Sequence, residues 1–488
     1  MTTEVGATTG ADTTAGAALV PARPGRVIET APFVLLVLLL AVVLKYSALT
    51  LTNQDTWFHL TLGDHFRGDW SLAHPGALTP FATSQWVPTQ WSTEVLASLV
   101  EHWFGLPGVA WLFGAFYLLL VLTAYGVCRA RSGALPATVV TALLVFAAAP
   151  ALSARPQVLS LILVAVTVHA WLRTWDDGRL RWWLVPLTWV WATAHGLWSA
   201  GVLLGLVCCV GLLLDRRVGG RRAVLAFAVP LLSLAATALT PVGPRLLAAQ
   251  LAVSARTSLI AEWGPTSFRT VPALVAAAMV AWLAVLWARR GGTSWTHLLL
   301  LLLAAAWILL VTRTVSLGAI VVAPLLAQAL ERSITGAGPG RTGTRTSERW
   351  VVGAAALGYL LVLALAVPGA AATAEGVPTR FQPRLEALPA GSTLLVDNGT
   401  GAWVEWAVPA VHPVVDGMLD AYPVDYLRRY FGFTRAEPGW QAFVRDSGAR
   451  AGILGSGSPA STALQERLGW RAVARDRDWV YLEAPDAR

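Results

Sequence analysis

Lys45 is the single lysine of the chain, and only 13% of the 488 residues are charged. A soluble protein carries roughly 25% charge, so this scarcity, set against 56% hydrophobic residues, excludes an ordinary soluble domain. Cysteine is also scarce. Cys128, Cys208 and Cys209 lie in or beside apolar runs, with no spacing that fits a disulfide framework or a metal site; they read as small membrane residues. The motifs of common soluble enzymes are missing as well: a phosphate-binding glycine loop, HExxH, a CxxC pair and a catalytic-serine GxSxG. ATP-driven work therefore lacks a site. The net charge of +8 is no nucleic-acid signal, because most arginines sit in short loops between apolar runs.

Those apolar runs approach the ~20 residues that cross a bilayer, and the 24 tryptophans fit a protein with membrane interfaces. The fold class expected is an all-α polytopic membrane protein of about eleven transmembrane helices, with a small extracytoplasmic α/β domain at its C-terminus. The spans expected are 31–52, 107–128, 134–152, 156–173, 182–196, 197–214, 223–240, 271–288, 295–311, 317–331 and 350–370. Residues 1–30 read as a disordered cytoplasmic tail without the layout of a signal peptide, and 31–370 as the transmembrane domain.

Arginine placement orients the spans. Arg129 and Arg131, Arg173, Arg179 and Arg181, Arg216, Arg217, Arg221 and Arg222, and Arg289 and Arg290 fall in alternate loops, which the positive-inside rule makes cytoplasmic together with the N-terminus. Splitting 182–214 at Ala194-His195-Gly196 keeps the DRRVGGRR loop on that side. Two long outer segments follow, 53–106 and 241–270, of a size that is usually functional. The first is expected to carry interfacial helices. The Gly/Ser/Thr/Arg-rich ERSITGAGPGRTGTRTSER reads as a flexible linker. Residues 376–488 alternate short apolar runs such as STLLVDNG and AGILGSG with amphipathic stretches, the pattern of a small α/β domain.

Ionisable groups near hydrocarbon need a reason, and the candidates gather on the outer side. Asp55 and His59 in NQDTWFHLTLGD share a helix face, and Trp57, Phe58, Leu60 and Leu62 give that helix an apolar side fit to lie on a bilayer surface. A carboxylate there could act as a general base or hold a divalent cation; the plainer role for Asp55 is a helix cap. Glu94 belongs to the same segment. Arg155 in SARPQ and Arg313 in VTRTVS could grip a lipid phosphate, or merely snorkel to headgroups. His195 could donate to that phosphate. Glu262 and Trp263 lie in the second long outer segment. Asp64 reads as solvated surface, and Asn398-Gly-Thr matches a glycosylation acceptor by chance frequency alone.

DTWFHLTLG, PTQWSTEVLASLVEHWFGLPGV, SARPQVLSLIL, ATAHGLWSAGVLLGL, LTPVGPRLL with IAEWGPTS, RTVSLGAIVVAPLLA and HPVVDGMLDAY, in that order, resemble segments of the GT-C class of membrane glycosyltransferases and of bacterial membrane proteins related to it. The resemblance implies a transferase that takes a sugar from a polyprenyl-phosphate donor to an envelope acceptor on the outer membrane face. It implies that Asp55, matching the early acid of that class, activates the acceptor or helps bind a metal. Many such enzymes pair two acids there. Here Gln54 and Thr56 flank Asp55, so Glu94 or Glu262 is the expected second carboxylate. Catalysis is thus expected at Asp55, His59 and Glu94, and substrate binding at Arg155, His195, Glu262, Trp263 and Arg313. Membrane lipids are further partners and nucleic acid is not. A lipid or solute transporter and a non-catalytic envelope assembly protein are the alternatives; the absence of any internal repeat weighs against the transporter.

Overall fold

A chain in hydrocarbon must satisfy its backbone within each segment, and apolar runs do so as helices. The computed structural model describes residue 2 and residues 26–48, 50–69, 71–73, 75–252, 261–336 and 346–485. All eleven apolar runs form helices. In chain order the helices before the terminal domain are α1 (Arg26–Ala48), α2 (Asp55–Asp69), α3 (Trp91–Arg129), α4 (Ala134–Ala148), α5 (Gln157–Asp177), α6 (Leu184–Ala194), α7 (Trp198–Leu214), α8 (Arg221–Thr237), α9 (Arg245–Ala252), α10 (Val271–Ala288), α11 (Trp295–Leu310), α12 (Val315–Thr335) and α13 (Thr346–Ala370). The expected tail and the centre of the expected linker fall largely outside the described residues.

Among the described residues, seven helices, α1, α3, α4, α5, α10, α12 and α13, are long and apolar enough to cross a membrane. The eleven expected crossings are therefore not all full length. α6 has 11 residues, about 16 Å of rise against a hydrocarbon core of ~30 Å. It stops because the chain becomes extended at His195, whose ring nitrogen Nδ1 accepts the Leu197 N–H at 3.3 Å. The break drives a polar ring into the protein instead of the bilayer. α12 runs through the middle, buried from Val315 to Ala329, and packs on α3, α4, α5, α10 and α11.

α3 is two helices in one. Pro107 cannot donate a backbone hydrogen bond, and Gly105 takes φ 63°, ψ −166°, a conformation open to glycine. The leading part bears the exposed Trp103 and Phe104 beside the kink. It also packs against α2 so closely that a Cβ on Gly63 would stand 2.1 Å from the Glu94 carbonyl oxygen. The apolar side of α2 is thus not laid on a lipid surface. Trp57, Leu60, Leu62 and Phe66 are buried in protein, with Trp57 against Trp406 of the terminal domain, ring centroids 4.9 Å apart.

The terminal domain contains α14 (Gln382–Glu386), β1 (Thr393–Val396), α15 (Asn398–Ala407), β2 (His412–Pro413), α16 (Val424–Thr434), α17 (Trp440–Ser447), β3 (Ala451–Gly455), α18 (Pro459–Leu468), β4 (Arg471–Arg475) and β5 (Trp479–Glu483). Its sheet has the order β2-β1-β3-β5-β4. β1 pairs parallel with β2 and β3, while β5 pairs antiparallel with β3 and β4. The buried TLLV and AGILG runs make the centre. The exposed β4, with Arg471 and Arg475, forms a charged edge that discourages further pairing.

Candidate functional site

A cavity of about 410 Å³ lies where residues of the 53–106 and 241–270 segments meet the terminal domain, within the usual range for small-ligand sites of ~300–1,000 Å³. The helix starts build its rim. Asp55 opens α2, Gln90 precedes α3, Gln157 opens α5, Leu197 precedes α7, Arg313 precedes α12 and Asn398 opens α15, and each lines the cavity. Helix N-termini carry positive partial charge and free N–H groups, so the rim favours an anion before any side chain is counted.

The side chains continue that theme. The Arg155 Nη1 donates to Asp55 Oδ2 at 2.9 Å and to Glu262 Oε1 at 3.2 Å, and Arg313 Nη1 donates to Glu262 Oε2 at 2.8 Å. Glu262 therefore bridges two arginines. Burial opposes its charge, but the two guanidiniums hold its carboxyl below the ordinary range, which keeps it ionised. Each arginine is fixed from behind. Arg155 Nε donates to Ser153 Oγ at 2.9 Å, and Thr56 of α2 holds the adjacent Ala154 carbonyl at 3.1 Å. Arg313 lies over the Trp263 ring, 5.3 Å from its centroid, and Thr312 N–H donates to the Gly264 carbonyl at 3.1 Å. Asp55 does not cap α2 with its own side chain; Asn53 Oδ1 accepts the Asp55 N–H at 2.9 Å, which frees the Asp55 carboxylate for Arg155.

The two cavity histidines are neutral. Burial, then Arg155, the other histidine and Arg313, pushes His59 well below the ordinary imidazole range; burial, then Arg313 and Arg155, does the same to His195. His195 Nδ1 accepts from Leu197 N–H and sits 2.8 Å from Ser160 Oγ, which in turn accepts from Trp191 Nε1 at 2.7 Å. The proton of His195 is thereby on Nε2, ready to donate. His59 Nδ1 bonds Glu94 Oε1 at 2.9 Å.

Of the residues marked in the sequence, Asp55, His59, Arg155, His195, Glu262, Trp263 and Arg313 all line this one cavity. Glu94 is not in its wall; 1% exposed, it backs His59. Asp64 is exposed and pairs with Arg67. Gln85, Trp86, Gln90, Asn398, Met418 and Asp420 also line the cavity; of these, Gln85, Trp86, Gln90 and Met418 carried no mark of their own in the sequence. Amides carry no charge signature, and the Asn398-Gly-Thr tripeptide matched only a glycosylation pattern. Its amide faces the cavity at the start of α15, with Oδ1 buried, where a surface acceptor does not sit. Among the described residues, no three His, Cys, Asp or Glu side chains gather closely enough to hold a metal ion.

A second recess of about 160 Å³ shares Arg155, Gln157, Glu262 and Arg313 with the first, and is otherwise lined by small apolar residues such as Ala147, Pro272 and Val315 and by the hydroxyl residues Thr266, Ser267, Thr270, Thr312 and Ser316. At the opposite end of the bundle the arginines are stitched to acids: Arg129 forks onto Glu348 at 2.8 and 2.9 Å, and Arg131 meets Asp176 at 2.9 Å.

No family model and no curated protein matches the chain. Among solved structures it is similar to the crystal structure of the Archaeoglobus fulgidus oligosaccharyltransferase in the apo form. The identity is 12% over 88% of this chain and 70% of that one, with a TM-score of 0.52. It is also similar to ArnT from Cupriavidus metallidurans bound to undecaprenyl phosphate, at 16% identity over 94% of this chain and 98% of that one, with a TM-score of 0.51. The likeness is one of fold. The chain is a multi-pass membrane protein with the GT-C fold.

Proposed function

We propose that the chain transfers a sugar from a polyprenyl-phosphate donor to an acceptor of the cell envelope, on the outer face of the membrane. One observation carries this reading: an acid, two arginines bridged by a second acid, and two neutral histidines share one cavity ringed by helix N-termini. In the step proposed, an acceptor hydroxyl oxygen forms the bond to the anomeric carbon, and the bond from that carbon to the phosphate oxygen breaks. The electron pair leaves with the phosphate, where Arg155, Arg313 and the His195 Nε2–H stabilise it. The hydroxyl proton passes to Asp55, with charge developing on the sugar as in an oxocarbenium ion. Glu262 holds the two guanidiniums in place until the phosphate arrives. The smaller recess, mostly apolar in its surface and sharing both arginines, suits the first units of a polyprenyl chain. The ArnT structure, bound to undecaprenyl phosphate, makes a lipid of that kind a reasonable partner here.

The orientation belongs to the same proposal. The arginine-rich end, with Arg129 and Arg131, faces the cytoplasm by the positive-inside rule, which leaves the cavity and the terminal domain outside. A second reading, a non-catalytic envelope protein, draws on the Asp55–Arg155 pair at 2.9 Å, which could simply brace the bundle. Complementation of a deletion strain separates the two. Asp55→Asn, inserted and folded, restores nothing if Asp55 takes a proton; full complementation by that variant contradicts the transferase reading and favours the bracing role.

A further inference from the structure

The terminal domain does more than cover the cavity. It contributes Asn398, Gly417, Met418, Leu419 and Asp420 to the wall. The turn that bears Asp420 is fastened on both sides. Asp416 Oδ1 accepts the Met418 N–H at 2.8 Å, the Ala421 carbonyl accepts the Ser84 N–H of the first outer segment at 2.9 Å, and Tyr422 OH meets Thr79 Oγ1 at 3.1 Å. Asp416 is itself buried beside Glu405. Burial pushes Asp416 up to about 6, and pushes Glu405 well above its usual range, which disfavours two charges side by side beneath the turn. A turn fixed this firmly places its side chains for a purpose.

Asp420 lies within electrostatic reach of the Arg313 guanidinium. It is the third carboxylate of a cavity that has two arginines, Asp55 and Glu262 being the others. A carboxylate beside an anion site weakens anion binding unless it does something else. A sugar attached directly to a phosphate puts its hydroxyls within one ring's width of the arginines, and a carboxylate accepts hydrogen bonds from hydroxyls. Asn398 lines the same wall, and its buried Oδ1 has no partner among the described residues. The charges also differ across the reaction. A sugar phosphodiester carries one negative charge, whereas the polyprenyl phosphate monoester left behind carries up to two, so a nearby carboxylate repels the product more than the donor.

Resting on the reading of the previous subsection, we infer that Asp420 and Asn398 form a sugar-reading subsite supplied by the terminal domain, in which Asp420 selects the sugar phosphodiester over the bare phosphate monoester. The test is binding to the purified full-length chain, read by native mass spectrometry, with two probes: undecaprenyl phosphate, and the pool of polyprenyl-phosphate sugars extracted from host membranes. The native chain prefers the sugar-bearing lipid. Asp420→Asn weakens the sugar-bearing lipid about tenfold and tightens undecaprenyl phosphate about threefold. Asn398→Ala weakens the sugar-bearing lipid alone. Equal losses for both lipids, or a preference unchanged from the native chain in either variant, overturn the inference while the transferase reading stands. A native chain that binds both lipids alike does the same. A native chain that binds neither overturns both.

Discussion

Asp55 is held by the same arginine that is proposed to receive the leaving phosphate, so the two functions are coupled at one guanidinium. Arg155→Lys keeps the charge but loses the fork that reaches Asp55, Glu262 and Ser153 together. Transfer measured in proteoliposomes is expected to fall at least about tenfold in that variant, a loss of roughly 1.4 kcal/mol of transition-state stabilisation; an unchanged rate removes Arg155 from the site. The histidines give a pH signature. His59 and His195 stay neutral in the fold well below the ordinary imidazole range, while in the unfolded chain they take up protons as pH falls through about 6.5. The unfolded state then binds more protons, and stability declines as pH falls below that value. Thermal unfolding between pH 8 and pH 5 is expected to show a falling midpoint below about pH 6.5, with a shallower slope in His195→Asn. A slope identical to that of the native chain contradicts the assignment.

At the scale of elements, the contact of α2 with α3 sets the relation between His59 and Glu94. Gly63→Ala places a methyl 2.1 Å from the Glu94 carbonyl, a backbone atom that cannot turn aside. A loss of about 1–3 kcal/mol is expected from such overpacking, seen as a lower unfolding midpoint together with weakened transfer; an unchanged midpoint means the helices are not so close. Much of this level was readable from residues. Apolar run length placed the eleven helices, and the polar break at His195 marked where α6 ends. Arg155 and Arg313 stood out because charged side chains at bundle ends need partners. Other features left no such mark. The burial of α2 came from the terminal domain docking through Trp406, a contact remote in sequence, so an amphipathic helix looked like one meant for lipid. Gln85, Gln90 and Asn398 are uncharged and common, and only the fold brings them together. Asp420, in VVDGMLDAY, reads from sequence either as part of an acidic contact or as a strand end and helix cap, and only the fold sets it near Arg313.

Across the whole molecule, two parts with different composition meet at one cavity: a membrane bundle that contributes Asp55, Arg155, Glu262 and Arg313 and a terminal α/β domain that contributes Asn398 and Asp420. The arrangement predicts sidedness. Alkaline phosphatase fused after the terminal domain is expected to be active, and a fusion in the loop bearing Arg179 and Arg181 inactive; the reverse pattern inverts the orientation and places the cavity on the cytoplasmic side. The claim on which the rest depends is that Arg155 and Arg313 receive a polyprenyl phosphate. Native mass spectrometry of the chain purified from host membranes tests it directly. The account predicts a co-purifying polyprenyl-phosphate species in the native chain that is lost when Arg155 and Arg313 are both changed to alanine in a protein that remains folded. Bulk phospholipid alone in the native chain, or the same polyprenyl species retained by the double variant, contradicts it.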